Sequence, residues 1–435
     1  MSRYLLGLIL GPLLGLFFVS LGNGFISSLT SLRLDAAGES GNVIGLISSS
    51  YFIGLTLGAI YSDRLITRIG HIRAYSSFAS LTAVTFLLQG MHFDPILWFV
   101  LRLLNGWAIV GIFLVVESWM LLAGDQKIRG RLLALYMIVF YGSGMFGQAA
   151  LGQINALGQT APFMIAGMLA SLSVMPMVII PRVSPELGRV EPLPLRRLLR
   201  LSPTGVAGSF GSGVTIAAVY TLLPIYLQRV GMNVAQVGQL MACVILGAMM
   251  LQYPIGRWSD RQDRRTVLIA LCLYGTVLSA LILLLPDSHL LLVALLFLLG
   301  GGVFAVYPVA VSHAADRTPP GALVPLIQGL LLVNSIGSAV SPLAISPIMT
   351  QVGEHGLFWA FLALNVVLLA FLLRRQKIRP APEPVAPFTS ATQMTPISAE
   401  MRVTEELEQG AIQRQQEKEN AGVTADSEAG SMPTA

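Results

Sequence analysis

Twelve times along its length the chain runs apolar for about the 20 residues that a helix needs to cross a hydrocarbon core of about 30 Å. The runs lie at about 5–30, 43–61, 74–91, 96–120, 132–154, 161–180, 204–227, 235–254, 266–285, 290–312, 323–349 and 357–373. Such segments have few ways to satisfy their backbone inside lipid, and bundled α-helices are the one that runs of this length allow. Composition points the same way. Charged residues make up 11% of the chain, where a soluble globular protein carries roughly 25%. The first run is longer than a signal-peptide core and no small-residue cleavage site follows it, so it is expected to stay as a span. Pro224, Pro308 and Pro342 fall inside later runs and are expected to kink them.

Charge sets the expected orientation. Residues 1–379 hold 24 Lys and Arg against 13 Asp and Glu, and residues 380–435 hold 3 against 9. If the twelve runs alternate, 21 of the basic residues fall on one face. The opposite face has only Arg33 and Arg229. Basic loops mark the cytoplasmic side, so both termini are expected in the cytoplasm and the protein in the inner or plasma membrane. The net charge of +5 is therefore a topological signal, and nucleic acid is not an expected partner. Residues 182–203 are basic and Pro-containing and read as a cytoplasmic linker between two six-helix bundles, 1–181 and 204–379. Residues 380–435 lack apolar periodicity and are expected to be disordered.

The halves also repeat in sequence. Asp63-Arg64 with Arg68 after span 2 returns as Asp260-Arg261 with Arg264 and Arg265 after span 8, 197 residues on. Gly111-Ile-Phe113 in span 4 returns as Gly302-Val-Phe304 in span 10, 191 residues on. Each of these helices reaches an Asp fourteen residues after its Gly, at Asp125 and Asp316. Parallel six-span repeats describe a known transporter architecture.

The loop Gly256-Arg-Trp-Ser-Asp260-Arg261-Gln-Asp-Arg264-Arg265 resembles the signature G-x-x-x-D-R-x-G-R-R of the major facilitator superfamily, with Asp263 in place of the second Gly. The copy after span 2 is looser, with Gly58 one residue too far upstream and Ile66 at the second Gly. Arg68-Ile-Gly-His-Ile-Arg73 and Glu117-Ser-Trp followed by Arg129-Gly-Arg131 resemble its YcaD-like branch. Arg102 and Gly106 match a further family motif, R-x-x-x-G, in span 4. Span 5 reads Tyr141-Gly-Ser-Gly-Met-Phe-Gly-Gln148 and lacks the Gly-Pro motif that many proton-driven antiporters carry. The resemblance implies an all-α membrane protein of twelve transmembrane helices in two six-helix bundles, the major facilitator fold.

Arg102 lies seven residues into its run, roughly 10 Å deep at about 1.5 Å per residue. A charge at that depth normally faces a cavity or a partner. It reads as a substrate-anion or proton-coupling site, or else as an arginine that ties the bundle together. Its repeat counterpart is Val293. Other intramembrane polar residues expected around a central cavity are Asn23, Tyr51, Asn105, Tyr141, Gln148, Tyr220, Gln239, Tyr307, Gln328 and Asn334. Any one of them reads equally as interhelical glue.

A cytoplasmic gate is expected from Asp63, Arg64, Arg68, Glu117, Arg131, Asp260, Arg261, Arg264 and Arg265. The resemblance implies that Asp63 and Asp260 face helix starts of the other half, those of spans 11 and 5, where the dipole favours a carboxylate. Pro319-Pro320-Gly321 reads as one such start. Glu117 is expected to pair with the Arg64/Arg68 turn or with Arg131.

No nucleotide-binding G-x-x-x-x-G-K-[ST] occurs. No convergent intramembrane carboxylates or histidines suggest an enzyme, and Cys243 and Cys272 read as buried hydrophobes. Neither cofactor nor metal is expected. The reading is a monomeric secondary transporter moving a small solute by alternating access, with proton-linked export of small amphipathic compounds ahead of metabolite uptake by a symporter or facilitator. A non-transporting membrane sensor is the rival from another class.

Overall fold

The computed structural model describes residues 3–123, 126–179, 193–284, 289–318 and 322–376. The predicted tail, most of the predicted linker (182–192), Asp125 and the Pro319-Pro320-Gly321 helix start lie outside them.

Among the described residues every regular element is an α-helix. The first half contains α1 (Arg3–Ala36), α2 (Gly41–Ile69), α3 (His71–Met91), α4 (Pro95–Ala123), α5 (Gln126–Ala156), α6 (Ala161–Leu172) and α7 (Val174–Val178). A short α8 (Leu195–Leu201) leads into α9 (Pro203–Thr221), α10 (Leu223–Arg229), α11 (Val234–Arg261), α12 (Arg264–Leu284), α13 (His289–Ala315), α14 (Leu323–Val352) and α15 (Gly356–Gln376).

Ten spans among these residues are long and apolar enough to cross a membrane, with α6 and α7 together supplying one of them. The pair α9 and α10, bent by 44°, makes an eleventh if it is one span. The break falls at Leu222, two residues before Pro224, whose missing N–H and ring prevent an unbroken ladder. Pro308 and Pro342 instead lie inside continuous helices. The predicted run at 74–91 corresponds to α3, which is 21 residues long but falls short in apolarity. Ser76, Ser77, Ser80, Thr82 and Thr85 dilute it.

Lipid gives apolar helices no hydrophobic reason to associate, so close backbone approach has to hold them. The α2–α4 crossing is built on two glycines. A Cβ on Gly106 would meet the Tyr51 carbonyl oxygen, and one on Gly54 the Leu103 carbonyl oxygen. The second half repeats the device between α11 and α13, with Gly247 against the Phe297 carbonyl and Gly300 against that of Val244.

Two further pairs, α2 with α14 and α5 with α11, join the halves. At the end where α2 begins, Gly41 meets Ser346 and Thr350 of α14, and Gly45 meets Pro342. At the same end Gly152 of α5 meets Ala235 of α11, and Gly238 of α11 meets the Gln148 carbonyl. An ion pair spans the junction there, Arg229 Nη2 to Asp35 Oδ1 at 2.6 Å. Arg33, the other basic residue of that face, donates to Asn155 Oδ1 at 2.9 Å.

Candidate functional site

The α2–α4 crossing that requires Gly54 and Gly106 also fixes two side chains. Tyr51 follows from α2 and Arg102 from α4, and the guanidinium carbon sits 4.3 Å from the Tyr51 ring centroid. This is cation–π distance. Asn23 of α1 holds the other end of the ring by donating to the Tyr51 hydroxyl at 3.0 Å.

Arg102 is 1% exposed, and its Nε and Nη1 have no hydrogen-bond partner. No ion pair among the described residues includes it. A ring face compensates a buried guanidinium only partly, and unmet donors in a site of low dielectric carry a desolvation cost.

The space beside it is a cavity of about 40 Å³, lined by Asn23, Tyr51, Arg102, Phe113 and Tyr141 among others. A second cavity of about 40 Å³ lies toward the other half, bounded by Phe304, Asn334 and Ser338. Both are bounded by Phe52, Phe140, Tyr141 and Tyr220, so aromatic side chains form the partition between two lobes. Phe304 meets Tyr141 and Tyr220 edge-on, with centroids 5.9 and 5.8 Å apart. Two polar groups of the second lobe are engaged in helix contacts. Asn334 Nδ2 donates to the Ser209 carbonyl at 3.0 Å, and Ser338 Oγ to the Gly213 carbonyl at 3.2 Å. What that lobe offers a ligand is chiefly apolar and aromatic wall.

Of the predicted cavity residues, Asn23, Tyr51, Arg102, Tyr141 and Tyr220 come together in the first lobe, and Asn334 in the second. The others lie elsewhere. Asn105 donates to Thr85 Oγ1 at 3.1 Å, tying α4 to α3. Gln148 donates to the Gly24 carbonyl and to Ser28 Oγ, tying α5 to α1. Tyr307 is buried in a cluster with Leu198 and Leu330, Gln239 is exposed on α11, and Gln328 is half-buried near the start of α14. Phe52, Phe113, Phe140 and Phe304 were not singled out as site residues. A signal for two of them existed, since Phe113 and Phe304 are the repeat markers 191 residues apart.

The predicted gate residues differ in burial. Arg64, Arg68, Arg131 and Arg261 are exposed, Asp63 is half-buried, and Glu117 is completely buried. Its burial contrasts with the exposure of the three arginines expected to pair with it. Arg264 is buried and reaches Asp316 at 3.0 Å and Asp260 at 3.5 Å, joining the ends of α11, α12 and α13 within one half. Buried Arg265 donates to the Arg375 carbonyl at 3.4 Å, again within that half. A desolvated guanidinium needs such acceptors, which accounts for its direction inward rather than across the junction.

Two packed helical halves enclosing a small seat between them define the class of membrane carriers. The Major Facilitator Superfamily model matches residues 12–323 and 207–403. The chain belongs to that superfamily, a non-enzymatic class of transporters. An uncharacterized MFS-type transporter of Enterobacter sp. (strain 638) is 30% identical over 374 residues, covering 85% of this chain and 96% of the relative. The uncharacterized MFS-type transporter YcaD of Salmonella arizonae is 29% identical over 371 residues, with the same shares. Among solved structures, the nucleoside transporter NupG aligns with a TM-score of 0.71 at 14% identity, over 87% of this chain and 100% of its own. The D-xylose–proton symporter aligns at 0.68 and 14%, over 88% and 99%. At those identities the likeness is one of fold.

Proposed function

We propose that the chain is a secondary transporter that carries small amphipathic anions by alternating access through the Arg102 cavity. The observation that carries this reading is the unpartnered guanidinium, buried between two halves beside an aromatic-walled space. An anion entering the first lobe would lie beside the Arg102 guanidinium and the Tyr51 ring, with its apolar body toward Phe304. We assign α3 and the bent α9–α10 pair as spans, which gives twelve helices in two bundles joined by the 182–203 linker. Both termini lie in the cytoplasm of an inner- or plasma-membrane monomer, on the strength of the basic-residue asymmetry.

In this orientation the glycine contacts and the Asp35–Arg229 pair close the outer end, and transport requires them to part. Asp63, Asp260 and the arginines around them would close the cytoplasmic end in the opposite state. Proton-linked export is the mode the family resemblance implied. A facilitator or exchanger is the second reading, favoured because no Asp, Glu or His is among the described residues that line the two lobes.

Cysteine accessibility tests the cycle without a known substrate. In a variant with Cys243 and Cys272 replaced by Ser, single cysteines at Ser346 and at Ser62 should label alternately from the outer and cytoplasmic sides. A chain locked in one labelling pattern under all ligands and gradients would favour the sensor reading instead.

A further inference from the structure

The first lobe holds more unmet polarity than the Arg102 guanidinium. α1 sends Ser20, Asn23 and Ser27 to its wall, three side chains whose helical spacing puts them on one face. Ser27 Oγ is engaged, donating to the Asn23 carbonyl at 3.3 Å. Thr221, on α9, likewise donates to the Ala217 carbonyl at 2.7 Å. Ser20 Oγ and Asn23 Oδ1 have no hydrogen-bond partner among the described residues, although Ser20 is 4% exposed and Asn23 8%. Asn23 is thus half used, its Nδ2 holding the Tyr51 hydroxyl while its Oδ1 meets no donor.

The backbone that carries these two side chains is clamped. A Cβ on Gly24 would meet the Gly144 carbonyl oxygen of α5 at 2.9 Å, and one on Gly22 the Ala166 Cα of α6 at 3.3 Å. Gln148 of α5 also donates to the Gly24 carbonyl at 2.7 Å. Held on both sides, α1 keeps Ser20 and Asn23 turned to the lobe. A buried polar atom that the protein leaves unmet carries a desolvation cost, which a complementary group on a ligand relieves.

Tyr51 relates these atoms to the cation. The guanidinium lies over the ring, 4.3 Å from its centroid, and Asn23 stands at the hydroxyl end. A ligand that reaches both therefore needs its second polar group next to its negative end. Charge and hydrogen-bond capacity restrict what that group is. Asn23 Oδ1 accepts and the Ser20 hydroxyl can donate, and a hydroxyl on the ligand answers both at once. An ammonium only donates, and it would bring a second cation beside Arg102. No Asp or Glu is among the described residues lining either lobe to offset it.

We infer that the anion carried is a 2-hydroxy carboxylate, its hydroxyl donating to Asn23 Oδ1 and accepting from Ser20 Oγ, an inference that rests on the Arg102 reading of the cavity. Arg102 selects the charge, and Ser20 and Asn23 select the hydroxyl. A site built to meet a hydroxyl rejects the analogue without one, because its own buried groups are then left unpaired.

The test is calorimetric binding of mandelate, phenylacetate and phenylglycine to the purified full chain in detergent. Mandelate should bind about tenfold tighter than phenylacetate, which lacks only the hydroxyl. Phenylglycine, with an ammonium in that place, should bind more weakly than phenylacetate. Ser20→Ala and Asn23→Leu are made singly, so that one misfolded variant does not end the experiment. Each should reduce the preference for mandelate over phenylacetate to about twofold. The ratio is the readout because loss of the Asn23–Tyr51 contact weakens both acids alike. Ser31→Ala, which removes a buried hydroxyl of α1 outside the lobe, should leave the ratio unchanged.

The inference is overturned, with the Arg102 reading left standing, if phenylacetate binds as tightly as mandelate or phenylglycine binds more tightly. It is equally overturned if the ratio survives in both lobe variants or falls as far in Ser31→Ala. If none of the three acids binds, the Arg102 reading fails and this inference with it.

Discussion

The two halves use the same packing device but differ in where charge is buried. In the first, α2 and α4 close on Gly54 and Gly106, and the crossing holds Arg102 against Tyr51. In the second, α11 and α13 close on Gly247 and Gly300, and the position 191 residues after Arg102 is Val293. There the Cys243 thiol of α11 donates to the Val293 carbonyl at 3.7 Å. Phe113 and Phe304, by contrast, occupy matching places and line one lobe each. The shared parts are scaffold and wall, and the guanidinium belongs to one half alone. On the proposed reading, a ligand between them would be held in one orientation, charged end toward α1, α2 and α4 and apolar end toward α13 and α14.

The largest effect should come from removing the asymmetry at its source. Arg102→Ala should insert normally and lose all transport. Arg102→Lys keeps the charge but loses the planar fork, and should lose most of it. Flux in proteoliposomes, with and without a pH gradient, is the measurement, and wild-type rates in both variants would make Arg102 bundle glue.

The next effect concerns the walls. Phe304→Ala should weaken binding of an anion with an aromatic body by about tenfold, within the 1–3 kcal/mol typical of a pocket contact. The same change should hardly affect a small anion such as acetate. Equal losses for both would mean that the second lobe does not hold the ligand body.

A smaller effect is expected at the outer closure. Asp35→Asn or Arg229→Gln removes a partly exposed pair of the kind worth about 0–1 kcal/mol. Labelling from the outer side should rise by up to about fivefold. The double variant should add little to either single one. Strictly additive changes would show that the pair does not act as a unit. The smallest effect belongs to the tail, where truncation after Arg379 should leave insertion and transport as they are. Loss of either would make the tail structural.

Most of the fold is legible in the sequence because lipid leaves the backbone few choices. Apolar length and Gly placement suffice to mark nearly every helix. α3 shows the limit, since Ser76 and Thr85 bond back to the Ile72 and Thr82 carbonyls at 2.9 and 2.8 Å, in a helix that composition underrates. The site was less legible. Arg102, Tyr51 and Asn23 could be singled out because polar groups are costly in lipid. Asn105 and Gln148 met the same criterion yet serve as glue, because the sequence does not say which face of a helix meets a neighbour. The phenylalanines of the walls are not legible for the opposite reason, since phenylalanine is the ordinary residue of a span. Asp35 and Arg229 lie 194 residues apart, and only the packing of the halves brings them together.

The account rests on the claim that Arg102 is a seat for the negative end of a ligand. Thermal stabilisation of the purified protein by benzoate, compared with its neutral analogue benzamide, tests this most directly. The account predicts saturable stabilisation of the wild type by benzoate, little by benzamide, and none by either in Arg102→Gln. Equal stabilisation by the two compounds, or a benzoate response that survives in Arg102→Gln, would contradict it.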